Sequence, residues 1–463
     1  MVQIEDFDLV VLGAGRGRFL AWVLSGQGGR AAVVERRYIA GSCPSIACVP
    51  SKSVIHNAKV AQYFARAAEF GISVGDWKVD MPAVIDRKRK VVEGVVALND
   101  GAYKSTGTSL LMGQGRFIGP RTVEVTTADG SRRVVRGKNV IVNTGSRTRF
   151  DPIPGLAESK AMTHVEILEL ERVPGHLIVL GGGYVGLEMA QAMRRLGSRV
   201  TILERSPVFL EREDRDVAEA IASLFSDEGL DVRTGVTVDR VEGKSGKSVR
   251  VHATRGGSAD VVEGTDILVA SGRVPNTDEI GLESAGVERD DRGFVKVDDH
   301  CRTTAEGVWA VGDCAGTPHF THMGDQDARV VATNLAGGDA TTTGRLVPFC
   351  LFTDPELARV GLNEAEAKAK GVTYRLAKVP VTDAFRSRTI AEPRGFLKAL
   401  VAADSDQILG FTAFGTEAGM VMTVAQLAIS EGIPYTKLRD MTMTHPTMAE
   451  GISALFRAEL QGV

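Results

Sequence analysis

The chain has 463 residues, enough for about three domains and several hydrophobic cores. Its 43% hydrophobic and 24% charged residues with a net charge of −3 describe an ordinary soluble globular protein, without the basic face that nucleic acid requires. No apolar run reaches membrane-spanning length and no basic, apolar leader opens the chain, and five cysteines are few and odd in number, so a reducing cytoplasm is expected.

Phe7 to Leu12 reads as a buried parallel strand and Phe19 to Leu24 as a helix, with Gly13-Ala14-Gly15-Arg16-Gly17 between them. Strand, glycine turn and helix form the setting of a dinucleotide fingerprint, whose glycines let backbone approach a diphosphate at a helix N-terminus. The next strand, Ala31 to Val34, ends at Glu35, placed to accept ribose hydroxyls. The third fingerprint glycine is missing and Arg18 stands there, by substitution or by a one-residue deletion; either way, helix–strand packing there should depart from the usual pattern.

Cys43 and Cys48 follow at once, in Gly41-Ser42-Cys43-Pro44-Ser45-Ile46-Ala47-Cys48-Val49-Pro50-Ser51-Lys52. A disulfide between them closes a loop too short to gain much chain entropy, so stapling explains it poorly. Metal binding would want a second ligand pair at usual spacing. A dithiol and a flavin each carry two electrons, which makes redox exchange the leading reading. Cys301, Cys314 and Cys350 stand alone and read as small buried hydrophobes.

A second and complete fingerprint follows. Leu177 to Leu180 reads as a strand, Gly181-Gly182-Gly183-Tyr184-Val185-Gly186 as the turn, Leu187 to Leu196 as a helix, and Arg199 to Leu203 as a strand ending at Glu204. Two copies imply two nucleotides. Glu204 would accept a ribose 2′-hydroxyl and repel a 2′-phosphate, favouring NADH over NADPH, while the adjacent Arg205 could bind a phosphate. Asn139 to Val142 leads into Thr144-Gly145, and Asp266 to Ala270 into Gly272. His300 to Ala315 reads as a strand closing on Gly312-Asp313, where a buried carboxylate needs a partner such as a flavin ribityl hydroxyl; a turn or helix-cap Asp is the plainer reading. His319 and His322 read as loop residues lining a pocket.

From about Val347 the pattern changes. Phe396 to Val401 and Ile408 to Phe414 alternate as antiparallel strands, and Thr416 to Glu431 is helical, suggesting a separate C-terminal domain. Near the end, Pro446 and a following helix bring Glu450 within possible reach of His445, an arrangement able to orient the imidazole for proton transfer to or from a thiol. A capping His beside a solvated Glu is the alternative.

Taken together these motifs resemble the pyridine nucleotide–disulfide oxidoreductases, the group containing glutathione reductase, dihydrolipoamide dehydrogenase and mercuric reductase. The resemblance covers essentially the whole chain. It implies an α/β fold with two Rossmann-like dinucleotide-binding domains, for FAD (residues 1–150 and 272–345) and NAD(P) (151–271), and a C-terminal α+β dimerisation domain (346–463). Gly13, Gly15, Glu35, Thr144, Gly145, Gly312 and Asp313 would serve FAD; Gly181, Gly183, Tyr184, Gly186, Glu204, Arg205 and Gly272 would serve the nicotinamide nucleotide, with Tyr184 as gate. Cys48 resembles the charge-transfer thiol and Cys43 the interchange thiol, Lys52 and Glu188 the pair near the flavin. The family works as homodimers, with His445 and Glu450 reaching Cys43 across the interface. The implied activity is NAD(P)H oxidation with electrons passed to a disulfide, a metal ion or another thiol-reactive oxidant. Ser45 and Ala47 stand where the family usually has Asn and Gly between the cysteines; the Ser42-Cys43-Pro44 and Ala47-Cys48-Val49-Pro50 stretches resemble the ketopropyl-coenzyme M carboxylase branch, which however replaces the His–Glu pair. The chain also lacks the C-terminal cysteine pair of mercuric reductase. A mercuric-reductase-like or hypothiocyanous-acid-reductase-like branch fits best. An NAD(P)H:quinone or oxygen reductase with incidental cysteines, and a non-catalytic flavin-binding scaffold, are the readings from other classes.

Overall fold

The computed structural model describes residues 3–462. Near-continuous apolar runs make the first sheet, because parallel strands are buried on both faces. Its path is Ser109–Met112, Ala31–Glu35, Ile4–Leu12, Arg132–Val142, Thr122–Thr126 and Gln114–Gly119. The first four of these strands are parallel, the last two a hairpin joined antiparallel to Arg132–Val142, and Val308–Ala310 returns much later to pair parallel with that strand's end. Helices α1 (Arg18–Gly26), α2 (Ser42–Ile46), α3 (Cys48–Ala65) and the 26-residue α4 (Met81–Thr106) pack beside it.

A short helix α5 (His164–Ile167) precedes a second parallel sheet, ordered Asp231–Arg233, Arg199–Leu203, His176–Leu180 and Asp266–Val269. The strand order reverses direction at His176–Leu180, the point where such sheets open a crevice at their carboxyl ends. Helices α6 (Tyr184–Arg195) and α7 (Arg215–Asp227) belong to this unit, along with an antiparallel three-stranded sheet across 236–264. Helix α8 (Thr321–Leu335) then follows a tight turn at Gly312–Ala315.

The C-terminal sheet is antiparallel and six-stranded, with Phe396–Ala402 and Ile408–Gly415 at its centre. Helices α9 (Glu364–Ala369), α10 (Phe385–Thr389), α11 (Ala418–Ser430), α12 (Tyr435–Asp440) and α13 (Glu450–Arg457) accompany it. Among the described residues, no helix is long and apolar enough to cross a membrane.

The expected long strand from His300 to Ala315 is corrected. Only Val308–Ala310 forms a strand, because Gly312 turns the chain at φ +71° and Gly312–Ala315 form a single 3-10 turn.

Candidate active site

The dithiol is built by two helices. Cys43 lies on α2 and Cys48 opens α3; Ala47, at φ −126° and ψ −96°, breaks the helix between them. Both are free thiols here. Cys48 therefore sits at the positive end of an 18-residue helix, where a thiolate is favoured. A hydrogen bond from the Cys43 thiol, with smaller help from the Thr321 hydroxyl 3.4 Å away and the Lys52 ammonium, brings Cys48 down to about 6. Donating that hydrogen bond, together with burial, pushes Cys43 up. One helical turn past Cys48, Lys52 Nζ binds Glu188 Oε2 at 2.8 Å, and Glu188 Oε1 accepts the Phe352 N–H at 3.0 Å. The sequence expectation joining Lys52 on α3 to Glu188 on α6 thus has its geometry.

A cavity of about 790 Å³ opens at the ends of the first sheet, lined by Gly13, Gly15, Glu35, Thr144 and Gly145 among others. Gly13 and Gly15 are demanded by packing. A Cβ on Gly13 would lie 2.4 Å from the Asn143 carbonyl oxygen, and one on Gly15 2.7 Å from Asn143 Oδ1. Glu35 is pinned by its own turn, accepting N–H groups of Ala14 at 2.7 Å, Arg37 at 2.8 Å and Tyr38 at 3.0 Å. Gly312 and Asp313 do not line this cavity. Gly312 donates its N–H to buried Asp327, which also binds Thr317 and Arg345. Asp313 is half-buried rather than buried, and its partners are the Ser146 hydroxyl and Arg273, 3.8 Å away.

A second cavity of about 820 Å³ is lined by Gly183, Tyr184 and Glu204, with Ser206, Arg212 and Phe349 also present. Glu204 accepts the Gly182 N–H at 2.6 Å and the Ser206 N–H at 2.7 Å. Gly181 and Gly186 lie beneath: a Cβ on Gly186 would stand 2.2 Å from the Gly181 carbonyl oxygen, so α6 can approach the strand only with glycine there. Arg205 is exposed and Gly272 packs on Arg149; neither lines the cavity. Tyr184 stacks on Phe349 at 5.3 Å and Phe320 at 6.3 Å, and Phe320 continues the stack to His322. The Tyr184 hydroxyl donates to Glu213 Oε1 at 3.0 Å; Arg359 Nε is in ion-pair contact with Glu213 Oε2 at 3.1 Å. Burial nevertheless raises the Glu213 carboxyl. The expected pair of loop histidines is corrected. His319 is in a loop, whereas His322 is on the first turn of α8, where its Nε2 donates to the Pro348 carbonyl at 2.7 Å. The cavity wall there is Pro318 and Phe320 instead.

At the far end of the chain, His445 Nδ1 and Glu450 Oε2 are 2.8 Å apart. The carboxylate accepts a hydrogen bond from the Nδ1–H, which leaves Nε2 as the ring's acceptor nitrogen. The His445 side chain is 64% exposed, with the Phe385 ring against its edge.

Residues 7–328 match the Pyridine nucleotide-disulphide oxidoreductase model and residues 347–455 the dimerisation domain of the same family. The chain belongs to the pyridine nucleotide–disulfide oxidoreductases. Similar relatives include the probable pyridine nucleotide-disulfide oxidoreductase RclA of Escherichia coli, 33% identical over 98% of this chain and 99% of RclA. A dihydrolipoyl dehydrogenase of Cupriavidus necator is 33% identical over 96% of each chain. A mercuric reductase of Lysinibacillus sphaericus is 30% identical over 98% of this chain and 82% of the reductase. The solved structure of RclA, described as an HOCl-induced flavoprotein disulfide reductase, superimposes with a TM-score of 0.89 at 32% identity, covering 97% of this chain and 99% of that one. The Cu(II) complex of RclA gives a TM-score of 0.90.

The family expectation holds, and with it the fold class and the enzyme class, a flavoprotein disulfide reductase using FAD and a pyridine nucleotide. The residues of the first cavity fit FAD. The Thr144 hydroxyl is buried there without a partner, and the N–H groups of Gly15 and Arg16 have no protein acceptor among the described residues.

Sequence reasoning missed Thr321, Asn143, Ser146, Glu213, Phe320 and Phe349. Each acts across a long sequence separation; Asn143 and Ser146 flank Thr144-Gly145, but nothing local tells that they reach Gly13 and Asp313.

Proposed function

We propose that this enzyme oxidises NADH in preference to NADPH and passes two electrons through the Cys43–Cys48 pair to a small thiol-reactive oxidant: a disulfide, a metal ion or a related acceptor. The observation that carries the reading is Cys48 at the N-terminus of α3, hydrogen-bonded by Cys43 and one turn from the Lys52–Glu188 pair. FAD, when bound, supplies two-electron chemistry between a reduced nicotinamide and a disulfide. Gly13, Gly15, Glu35, Thr144 and Gly145 would hold it, with Gly312 and Asp313 completing the site through the turn they share. Gly181, Gly183 and Gly186 shape the nicotinamide nucleotide site, Glu204 accepts the adenosine ribose hydroxyls, and Tyr184 closes the route inward. Arg205 and Gly272 act at its margin.

The protein's own chemistry is proton and charge control. Lys52 and the helix terminus hold negative charge on Cys48. Cys43, kept as the thiol while it donates to Cys48, becomes the nucleophile once it loses its proton; on a disulfide acceptor it attacks one sulfur, breaks the acceptor's S–S bond and releases the first acceptor thiolate. The resulting mixed disulfide is resolved by Cys48, which forms the Cys43–Cys48 disulfide and expels the reduced acceptor thiol. His445, oriented by Glu450, would relieve Cys43 of its proton and protonate the leaving thiolate. Within one chain His445 is exposed at the C-terminal end while Glu450 is largely covered, so the reading puts the imidazole at Cys43 of the partner subunit in a homodimer. Relatives described as a mercuric reductase, as an HOCl-induced flavoprotein and as a Cu(II) complex support thiol-reactive metals and strong oxidants as the acceptor class.

Anaerobic titration of the yellow protein with NADH, then NADPH, tests this. A long-wavelength absorbance shoulder at two electrons, with bleaching delayed to four, is expected, and at lower concentrations of NADH. Bleaching at two electrons without a shoulder would sink the dithiol route and leave a quinone or oxygen reductase.

A further inference from the structure

Arg18, standing where the third fingerprint glycine is usual, is 3% exposed. Its Nη1 donates to the carbonyls of Ala14 and Gly15, both at 3.0 Å. Nε and Nη2 donate to Asn99 Oδ1 on α4, at 3.0 and 2.6 Å. The Phe19 and Trp22 rings lie 4.5 and 5.1 Å from the guanidinium carbon, and Tyr103 meets Trp22 edge-on. All these acceptors are neutral, so a cation is buried without a paired carboxylate among the described residues. Such a charge is costly unless something balances it. Burial accordingly draws the guanidinium down to about 10.

In a trans peptide the carbonyl and the following N–H point in opposite directions. By gripping the Ala14 and Gly15 carbonyls, Arg18 aims the N–H groups of Gly15 and Arg16 away from itself. Both of these donors lack a protein acceptor among the described residues, and Gly15 lines the first cavity. Hydrogen bonds in series polarise one another, so a cation pulling on each carbonyl strengthens the N–H on the far side of the same peptide.

We propose that Arg18 is a positioning residue for the diphosphate of the bound dinucleotide: it braces the glycine turn from behind, strengthens the N–H donors, and supplies the buried positive charge that the diphosphate balances. This rests on the first cavity taking FAD. The missing glycine is then an exchange of close packing for electrostatics.

Apoproteins of the wild type and of Arg18→Met, Arg18→Gly, Arg18→Gln and Arg18→Lys are titrated with FAD, following flavin fluorescence, and each apoprotein is melted. The neutral variants should bind FAD about tenfold more weakly, the value of one charge-assisted contact, with lysine between them and the wild type. The 31P resonances of bound FAD should move in the lysine variant, because the turn has lost its fork. Methionine and glycine variants that melt cooperatively and bind FAD within about twofold of the wild type would overturn the proposal. Should those two fail to fold, glutamine and lysine decide: glutamine must bind more weakly than lysine, and equal affinities overturn it. Wild-type apoprotein that takes up no FAD would instead defeat the assignment of the cavity.

Discussion

Cys48 concentrates the charge of the candidate site on one atom, and its titration is the direct handle on the reading. Its proton leaves as pH rises through about 6, so thiolate is present above that value and lost below it. In the two-electron-reduced enzyme the long-wavelength band should therefore fade as pH falls through about 6. Cys48→Ala should abolish the band at every pH while FAD stays bound, and an unchanged band in that variant would refute the assignment. Lys52→Met should carry the midpoint back toward the ordinary thiol range by about one pH unit, since an opposite charge has been removed; a midpoint that stays put would show that Lys52 does not act on Cys48. The residues of this chemistry were legible in the sequence where they are local: Cys43, Cys48 and Lys52 lie within ten positions, and His445 and Glu450 within six. Thr321 was not, because its hydroxyl reaches Cys48 from 273 residues away with no pattern around it.

At the scale of elements, the two fingerprints solve one packing problem differently. In the second, α6 meets its strand through Gly186, with no room for a methyl group. Gly186→Ala should push the helix off the turn and weaken NADH binding by about tenfold or more, read by nicotinamide titration, with FAD content unchanged. Retained affinity would mean that the turn relaxes freely. In the first fingerprint Arg18 begins α1 and threads between it and α4. Strands and helices around both turns could be read from periodicity, because burial on both faces gives unbroken apolar runs. The segment from His300 misled, since small and apolar residues there serve a turn as readily as a strand, and only the φ of Gly312 decides. The long polar helix α4 carries little apolar periodicity: Met81 and Ile85 anchor its start in the core, and Asn99, Tyr103 and the charged pairs hold the rest.

For the whole molecule, the proposed placing of His445 at Cys43 of the partner subunit makes subunit mixing informative. Cys43→Ser and His445→Ala homodimers should each be nearly inactive. Refolded or co-expressed together, they should regain about a quarter of wild-type activity, because half the dimers are mixed and each of those keeps one complete site. No recovery would mean that the pair does not act across the interface. This level of organisation was visible in the sequence only through resemblance, since no residue pattern announces which surface meets a second copy.

Glu213 and Asp214 are neighbours with different errands. Glu213 holds the hydroxyl of Tyr184, while Asp214 binds Lys398, fully buried in the C-terminal sheet, and accepts the N–H groups of Glu364 and Ala365 that open α9. Tyr184, the gate in the proposed function, is thus tied to the same short stretch of chain that fastens the second nucleotide-binding unit to the C-terminal sheet. Lys398 does not line that pocket, so a Lys398→Met variant is expected to weaken nicotinamide binding only through the Glu213–Asp214 stretch, and a nicotinamide titration of that variant with unchanged affinity would show that the stretch carries nothing.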